Sequence, residues 1–194
     1  MNRYSYLKKF LVVILMSVPT YLLAQDSLKN IPVLDKSPMD ASYYPANFPL
    51  LKIRDKVTTP LSVKLIYSRP QLKGRVMFGE MLPYTQVWRM GANEASEIEF
   101  FTDVVIGGKK IKKGEYSIYA IPEPNEWTII VNTENDIWGS FKYDENKDVV
   151  RVKVPVTEIA NSIESFTIYF DEAKEGCNLI AAWDKVMVKL PIQF

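Results

Sequence analysis

Three arginines, Arg69, Arg75 and Arg89, fall in one stretch of chain beside Asn93 and Glu94. A guanidinium presents a planar fork of N–H donors that matches a carboxylate or a phosphate two bonds at a time. Asn93 can donate and accept in the same hollow, and Glu94 can orient an arginine. Tyr84 and Trp88 add rings able to stack on a sugar or another ring. Together the seven residues are the candidate site, a grip for a small polar or anionic molecule or a glycan. A structural reading competes with it. Arg89 can pair with Glu94 or Glu97, Arg69 can satisfy the carbonyls of an irregular loop, and Trp88 can be core.

Other chemistries are narrowed by what the chain lacks. It has no histidine, which removes Ser-His-Asp and Cys-His mechanisms and the usual zinc and copper sites. Proton transfer would fall to Asp, Glu, Lys or Tyr. Glu94, Glu97, Glu99 and Asp103 are close in sequence, and Glu97 and Glu99 would share one strand face about 7 Å apart. That spacing is compatible with a carboxylate-dependent glycan hydrolase, yet exposed strands alternate glutamates in the same way. Asp144, Glu145, Asn146 and Asp148 are rich in oxygen, but their spacing lacks the glycine and terminal glutamate of a calcium loop. No cofactor or metal is expected, and no catalytic residue is assigned. Cys177 is the single cysteine, so no internal disulfide can form, and it reads as a small buried apolar residue.

The chain has 194 residues, 47% of them hydrophobic and 12% aromatic, enough for one cored domain. Arg3, Lys8 and Lys9 precede an apolar run from Phe10 to Val18, and Leu22-Leu23-Ala24 precedes Gln25. A basic start, a short apolar stretch and a small residue at a cut site are the pattern of a cleaved secretion signal over residues 1–24. The run is short for a membrane span, which needs about 20 residues. The expectation is an exported protein, periplasmic or secreted, with no transmembrane anchor after cleavage. Removing residues 1–24 takes away those three cations and no acid, so 24 basic and 23 acidic residues become 21 and 23, a net charge of −2. No nucleic acid partner is expected of so balanced a surface.

The elements that must position the site are strands. Residues 25–60 carry Pro32, Pro38, Pro45, Pro49 and Pro60 and read as an extended lead-in, docked by Tyr43, Tyr44 and Phe48. From residue 61 the hydrophobic period is two: Leu61, Val63, Leu65 and Tyr67; Ile98 and Phe100; Tyr116, Ile118 and Ala120; Trp127, Ile129 and Val131; Val150, Val152 and Val154; Phe166, Ile168 and Phe170; Leu179, Ala181 and Trp183; Val186, Val188 and Leu190. Gly107-Gly108 and Pro122 to Asn125 are hairpin turns, Asp144 to Lys147 is a polar loop, and Val156 to Asn161 allows one helical turn. About nine short strands over residues 61–194 predict a single all-β domain, an antiparallel β-sandwich with a barrel-like variant as the alternative. Residues 69–96 break the alternation, and a connection that long is usually functional.

Ordered motifs run through and beyond this break. Tyr67-Ser68-Arg69-Pro70, Lys73-Gly74-Arg75, Phe78-Gly79 and Val87-Trp88-Arg89 lead into Gly91-Ala92-Asn93-Glu94. Gly107-Gly108-Lys109, Gly114-Glu115-Tyr116-Ser117, Ile121-Pro122, Glu126-Trp127-Thr128, Trp138-Gly139, Tyr143-Asp144, Val149 to Val154 and Trp183 follow. The pattern resembles the bacterial domain-of-unknown-function family 2911, over roughly residues 38–192. The resemblance implies an exported protein and carries no activity or ligand.

These observations rank three expectations. The first is a non-catalytic binding or accessory module using the 69–94 loop. The others are a histidine-free hydrolase acting on glycans and a structural envelope protein.

Overall fold

The computed structural model describes residues 31–194, so the signal-like segment 1–24 lies outside the described residues. Residues 36–194 form one compact unit, and residues 31–35 belong to a separate one. Among the described residues nine strands occupy Met39–Tyr44 (β1), Val63–Ser68 (β2), Ser96–Phe100 (β3), Val104–Ile106 (β4), Lys109–Ile111 (β5), Gly114–Pro122 (β6), Glu126–Asn132 (β7), Asp148–Ala173 (β8) and Gly176–Gln193 (β9). A short helix, Phe48–Ile53 (α1), follows β1. The pairing is antiparallel throughout, in the order β1-β2-β3-β6-β7-β8-β9-β4-β5, and the sheet does not close into a barrel.

β8 makes two layers out of this one sheet. It pairs with β7 from Asp148 to Pro155 and with β9 from Val156 to Ala173. Val63, Leu65, Ile98, Ile118, Ile129 and Val154 on one side, and Phe166, Ile168, Leu179, Ala181 and Val188 on the other, belong to one buried cluster. That is sandwich packing, with both inner faces contributing alternate residues.

Two expectations need correction. The strands are not all short, because β8 spans 26 residues and β9 spans 18. A strand that changes partners must be long enough to serve both layers. Val156 to Asn161 is not helical: Val156, Thr157 and Glu158 pair with Val188, Met187 and Val186, and the register shifts before Ile163 absorb the irregular stretch. Inter-strand pairing overrides a weak local propensity here. Within the lead-in, residues 39–44 pair with β2 along their full length, and Tyr44 stacks on Phe194 at 5.5 Å.

The turns follow the residues that signalled them. Gly107 and Gly108, at φ 58° and 77°, connect β4 to β5, a geometry that needs positive φ at both positions. The Glu123 amide donates to the Glu126 carbonyl across the β6–β7 hairpin. Near the end of β7, the Asp148 carboxylate accepts from Tyr143 Oη (2.5 Å), Arg151 Nε (2.6 Å) and Asn132 Nδ2 (2.8 Å). Burial and the bond to Asp148 raise the Tyr143 pKa, so its hydroxyl remains a donor.

Cys177 is fully buried, and burial pushes its thiol up to about 12 from an ordinary value near 9. Burial disfavours the thiolate. This group's contribution to stability is whole below the unfolded thiol's pKa and is lost as pH rises through about 12. At pH 8 the native thiol should hold about a thousandfold less thiolate than an unfolded one. An aromatic disulfide reagent should therefore leave the native protein unlabelled and modify it fully in denaturant. Rapid native labelling would contradict the buried placement.

Candidate functional site

The break at residues 69–96 is a strand line with an excursion inserted. Trp88 exchanges backbone hydrogen bonds with Ala120 of β6 (2.7 and 2.9 Å), and the Thr85 amide donates to the Pro122 carbonyl (3.0 Å). β3 then pairs with β6 from Ser96↔Ile118 onward. Residues 85–88 and 96–100 thus run along the same β6 edge, and 89–95 leaves the sheet between them. The Ser96 amide closes the excursion on the Arg89 carbonyl (3.1 Å).

Buried serines pin this excursion. Ser68 Oγ donates to the Ala92 carbonyl (2.5 Å) and accepts from its amide (2.6 Å), while Ser96 Oγ donates to the Met90 carbonyl (2.6 Å). Gly91 fits because a Cβ there would lie 2.9 Å from Ser68 Oγ and 3.2 Å from the Ser68 carbonyl oxygen. The excursion also roofs a second small core on the outer face of the sheet. There Ala95, Tyr119 and Ile130 are buried with Val87, Ile121, Ile137 and Tyr143 packed around them. That is why β6 and β7 lose the simple alternation of an exposed sheet.

Trp88 is the hub of five rings. It contacts Phe78 (6.1 Å), Trp127 (5.8 Å), Phe166 (4.9 Å) and Trp183 (6.0 Å, stacked). Its indole Nε1 donates to the Gly91 carbonyl at 3.0 Å. The residue is 4% exposed, so it serves the core first and shows only an edge to the hollow beside it.

That hollow holds about 280 Å³ and is lined by Arg75, Met77, Met81, Trp88, Arg89 and Trp183 among others. Arg89 decides its character. Its Nε is buried with no hydrogen-bond partner, and burial alone lowers its pKa from the usual arginine value. Neither Glu94 nor Glu97 neutralises it. Glu97 accepts from the Asp136 amide (2.7 Å), and Glu94 is exposed and bridges to Trp138 through its backbone. Arg75 joins from the rim, with Nε on the Leu72 carbonyl (2.9 Å) and Nη2 on the Gln71 carbonyl (2.6 Å). Its remaining donors make none of the hydrogen bonds found among the described residues.

Arg75, Trp88 and Arg89 are therefore brought together, and the other sequence candidates are not. Arg69 is a clamp between the layers: Nε donates to the Phe166 carbonyl (3.2 Å), Nη1 to Asp40 (2.9 Å) and Nη2 to Thr167 Oγ1 (2.9 Å). Tyr84 covers Gly79, where a Cβ would lie 2.9 Å from its ring. Asn93, at φ 61°, shapes the excursion. Neither it nor Glu94 lines the hollow. Sequence reasoning missed Met77, Met81 and Leu82, which lie inside the loop already singled out. It also missed Trp183, which comes from β9 and had no local signal.

Two of the candidate carboxylates are already engaged. Glu99 pairs with Lys64 at 3.0 Å and Glu97 caps a backbone amide. Among the described residues no group of acids and Cys177 gathers as a metal-binding set. No helix there is long and apolar enough to cross a membrane.

Fold and loop together define an antiparallel β-sandwich that carries a walled hollow on an interrupted strand. The family model described as "Protein of unknown function (DUF2911)" matches residues 49–192, and the chain belongs to that family. No curated protein and no solved structure matches it.

Proposed function

We propose that this chain is a non-catalytic binding module, exported to the periplasm or the medium, that takes a small anion into the hollow between Arg75 and Arg89. The observation that carries the reading is the buried, unpartnered Nε of Arg89. An unsatisfied buried donor costs about 1–3 kcal/mol, and more when charged. A carboxylate or phosphate in the hollow would give the rest of the Arg89 guanidinium the charge-assisted bonds that the fold does not supply. The walls of Met77, Met81, Leu82 and Trp88 suit a short apolar body behind the anionic group. The volume sits near the lower end of the ~300–1,000 Å³ typical of small-molecule sites, so the ligand is small. Export rests on the basic-apolar-small pattern of residues 1–24.

The test is a thermal-shift screen with inorganic phosphate, succinate, benzoate and phenylacetate. At a concentration about 100 times Kd, a ligand stabilises by about 2.7 kcal/mol, a rise of roughly 5–11 °C for a chain of this size. Arg89→Met should abolish the response, Arg75→Met should weaken it, and Glu97→Gln should leave it intact. Equal responses in the parent and Arg89→Met, or none from any anion at about 10 mM, would end the proposal.

A further inference from the structure

A second hollow opens where β8 changes partners. β8 stays with β7 as far as Pro155 and joins β9 from Val156↔Val188. Beyond Val188, β9 has no β8 partner, and it meets β4 only at Val105↔Gln193. The two strands diverge, and a cavity of about 780 Å³ occupies the wedge. Val105, Val152, Val154 and Met187 give it an apolar lining. The β4–β5 turn presses on Val152, since a Cβ on Gly107 would lie 2.5 Å from Val152 Cγ2.

Backbone chemistry argues against a strand as the occupant. The Val156 amide donates to the Asn125 carbonyl on the β7 side. By strand alternation, position 155 therefore faces the wedge, and Pro155 has no N–H to offer there. Pro191 removes a second donor, on the β9 side of the same cavity. An edge disarmed by prolines resists strand addition. An acyl chain needs no hydrogen bonds and suffers nothing from this.

Charge selects the headgroup. The lining includes Lys153 and Lys189 and no acid. Lys153 is held by Glu126, whereas Lys189 enters none of the ion pairs among the described residues. We infer that this wedge binds a single-chain fatty acid, its tail along Val105, Val152, Val154 and Met187 and its carboxylate beside Lys189. The site is separate from the Arg89 hollow and does not depend on it.

Isothermal titration calorimetry with dodecanoate, below its micelle-forming concentration, tests the assignment. Saturable binding of one molecule per chain is expected. Lys189→Glu should weaken it at least about tenfold, as expected for reversing a paired charge. Dodecylammonium should bind far more weakly than dodecanoate. Met187→Asp should abolish binding with an unchanged circular dichroism spectrum. If that variant does not fold, Thr157→Trp at the exposed mouth should block entry instead. Arg89→Met should leave dodecanoate binding intact. The inference is overturned if dodecanoate fails to bind, or if binding survives the groove substitutions, whether or not Arg89→Met removes it. It is also overturned if sedimentation shows a dimer that Met187→Asp splits, which would make a second copy the occupant.

Discussion

Replacing Arg89 with methionine should raise the melting temperature of the ligand-free protein. Most single substitutions of half-buried residues lower it, so the sign alone is diagnostic. Arg89 is half-buried, with its Nε closed off from solvent and unpartnered. Burial already pulls its pKa downward, the signature of a charge that its surroundings do not compensate. Methionine keeps the length and apolar stem of the side chain and removes the orphaned donor. Relief of about 1–2 kcal/mol corresponds to a rise of roughly 2–8 °C for a chain of this size. The stabilised variant should at the same time lose its response to small anions. That combination is the trade expected of a site held in a costly state for its ligand. If Arg89 instead knitted the loop, Arg89→Met would lower the melting temperature and broaden the transition. Scanning calorimetry of the parent and the variant, with and without anion, separates the two.

Replacing Trp88 with alanine should cost about 3–5 kcal/mol, as for other buried tryptophans. The expected loss of roughly 6–20 °C is the largest effect foreseen for a single side chain here. Three contributions combine. The ring contacts to Phe78, Trp127, Phe166 and Trp183 disappear together. A cavity opens between the two layers of the sandwich. The Gly91 carbonyl loses its indole donor, which loosens the excursion that carries Arg89. Trp88→Phe should recover much of the packing but not that hydrogen bond, and should be less stable than the parent by about 1–2 kcal/mol. Chemical denaturation of the three proteins gives the ranking. If Trp88→Ala melted within a degree or two of the parent, Trp88 would be a binding platform and not a structural hub.

Some features of this protein are written in local residue patterns and others are not. β2, β3 and the start of β8 are visible in the alternation of Val63, Leu65 and Tyr67, of Ile98 and Phe100, and of Val150, Val152 and Val154. A period of two needs only neighbours to express it. The β4–β5 turn was legible for a similar reason, since Gly107 and Gly108 advertise positive φ by themselves. The 85–88 segment was harder, because its strand character exists only through β6, at Ala120 and Pro122. Trp183 illustrates the same limit: nothing near it in the chain says that it will wall a hollow opposite Arg89.

Residue type and order alone determined that this is a sheet protein without imidazole chemistry, and that arginines cluster where the alternation breaks. Only the three-dimensional arrangement decided which of those arginines is spent. Arg69 meets Asp40, Phe166 and Thr167, all far from it in the chain, and is consumed as a clamp between layers. Arg89 meets no such partner among the described residues and keeps a buried, unpartnered Nε. The physical reason is that a guanidinium's fate depends on which oxygens the fold brings within about 3 Å, and distances across a folded sheet are not written in the spacing of residues along it.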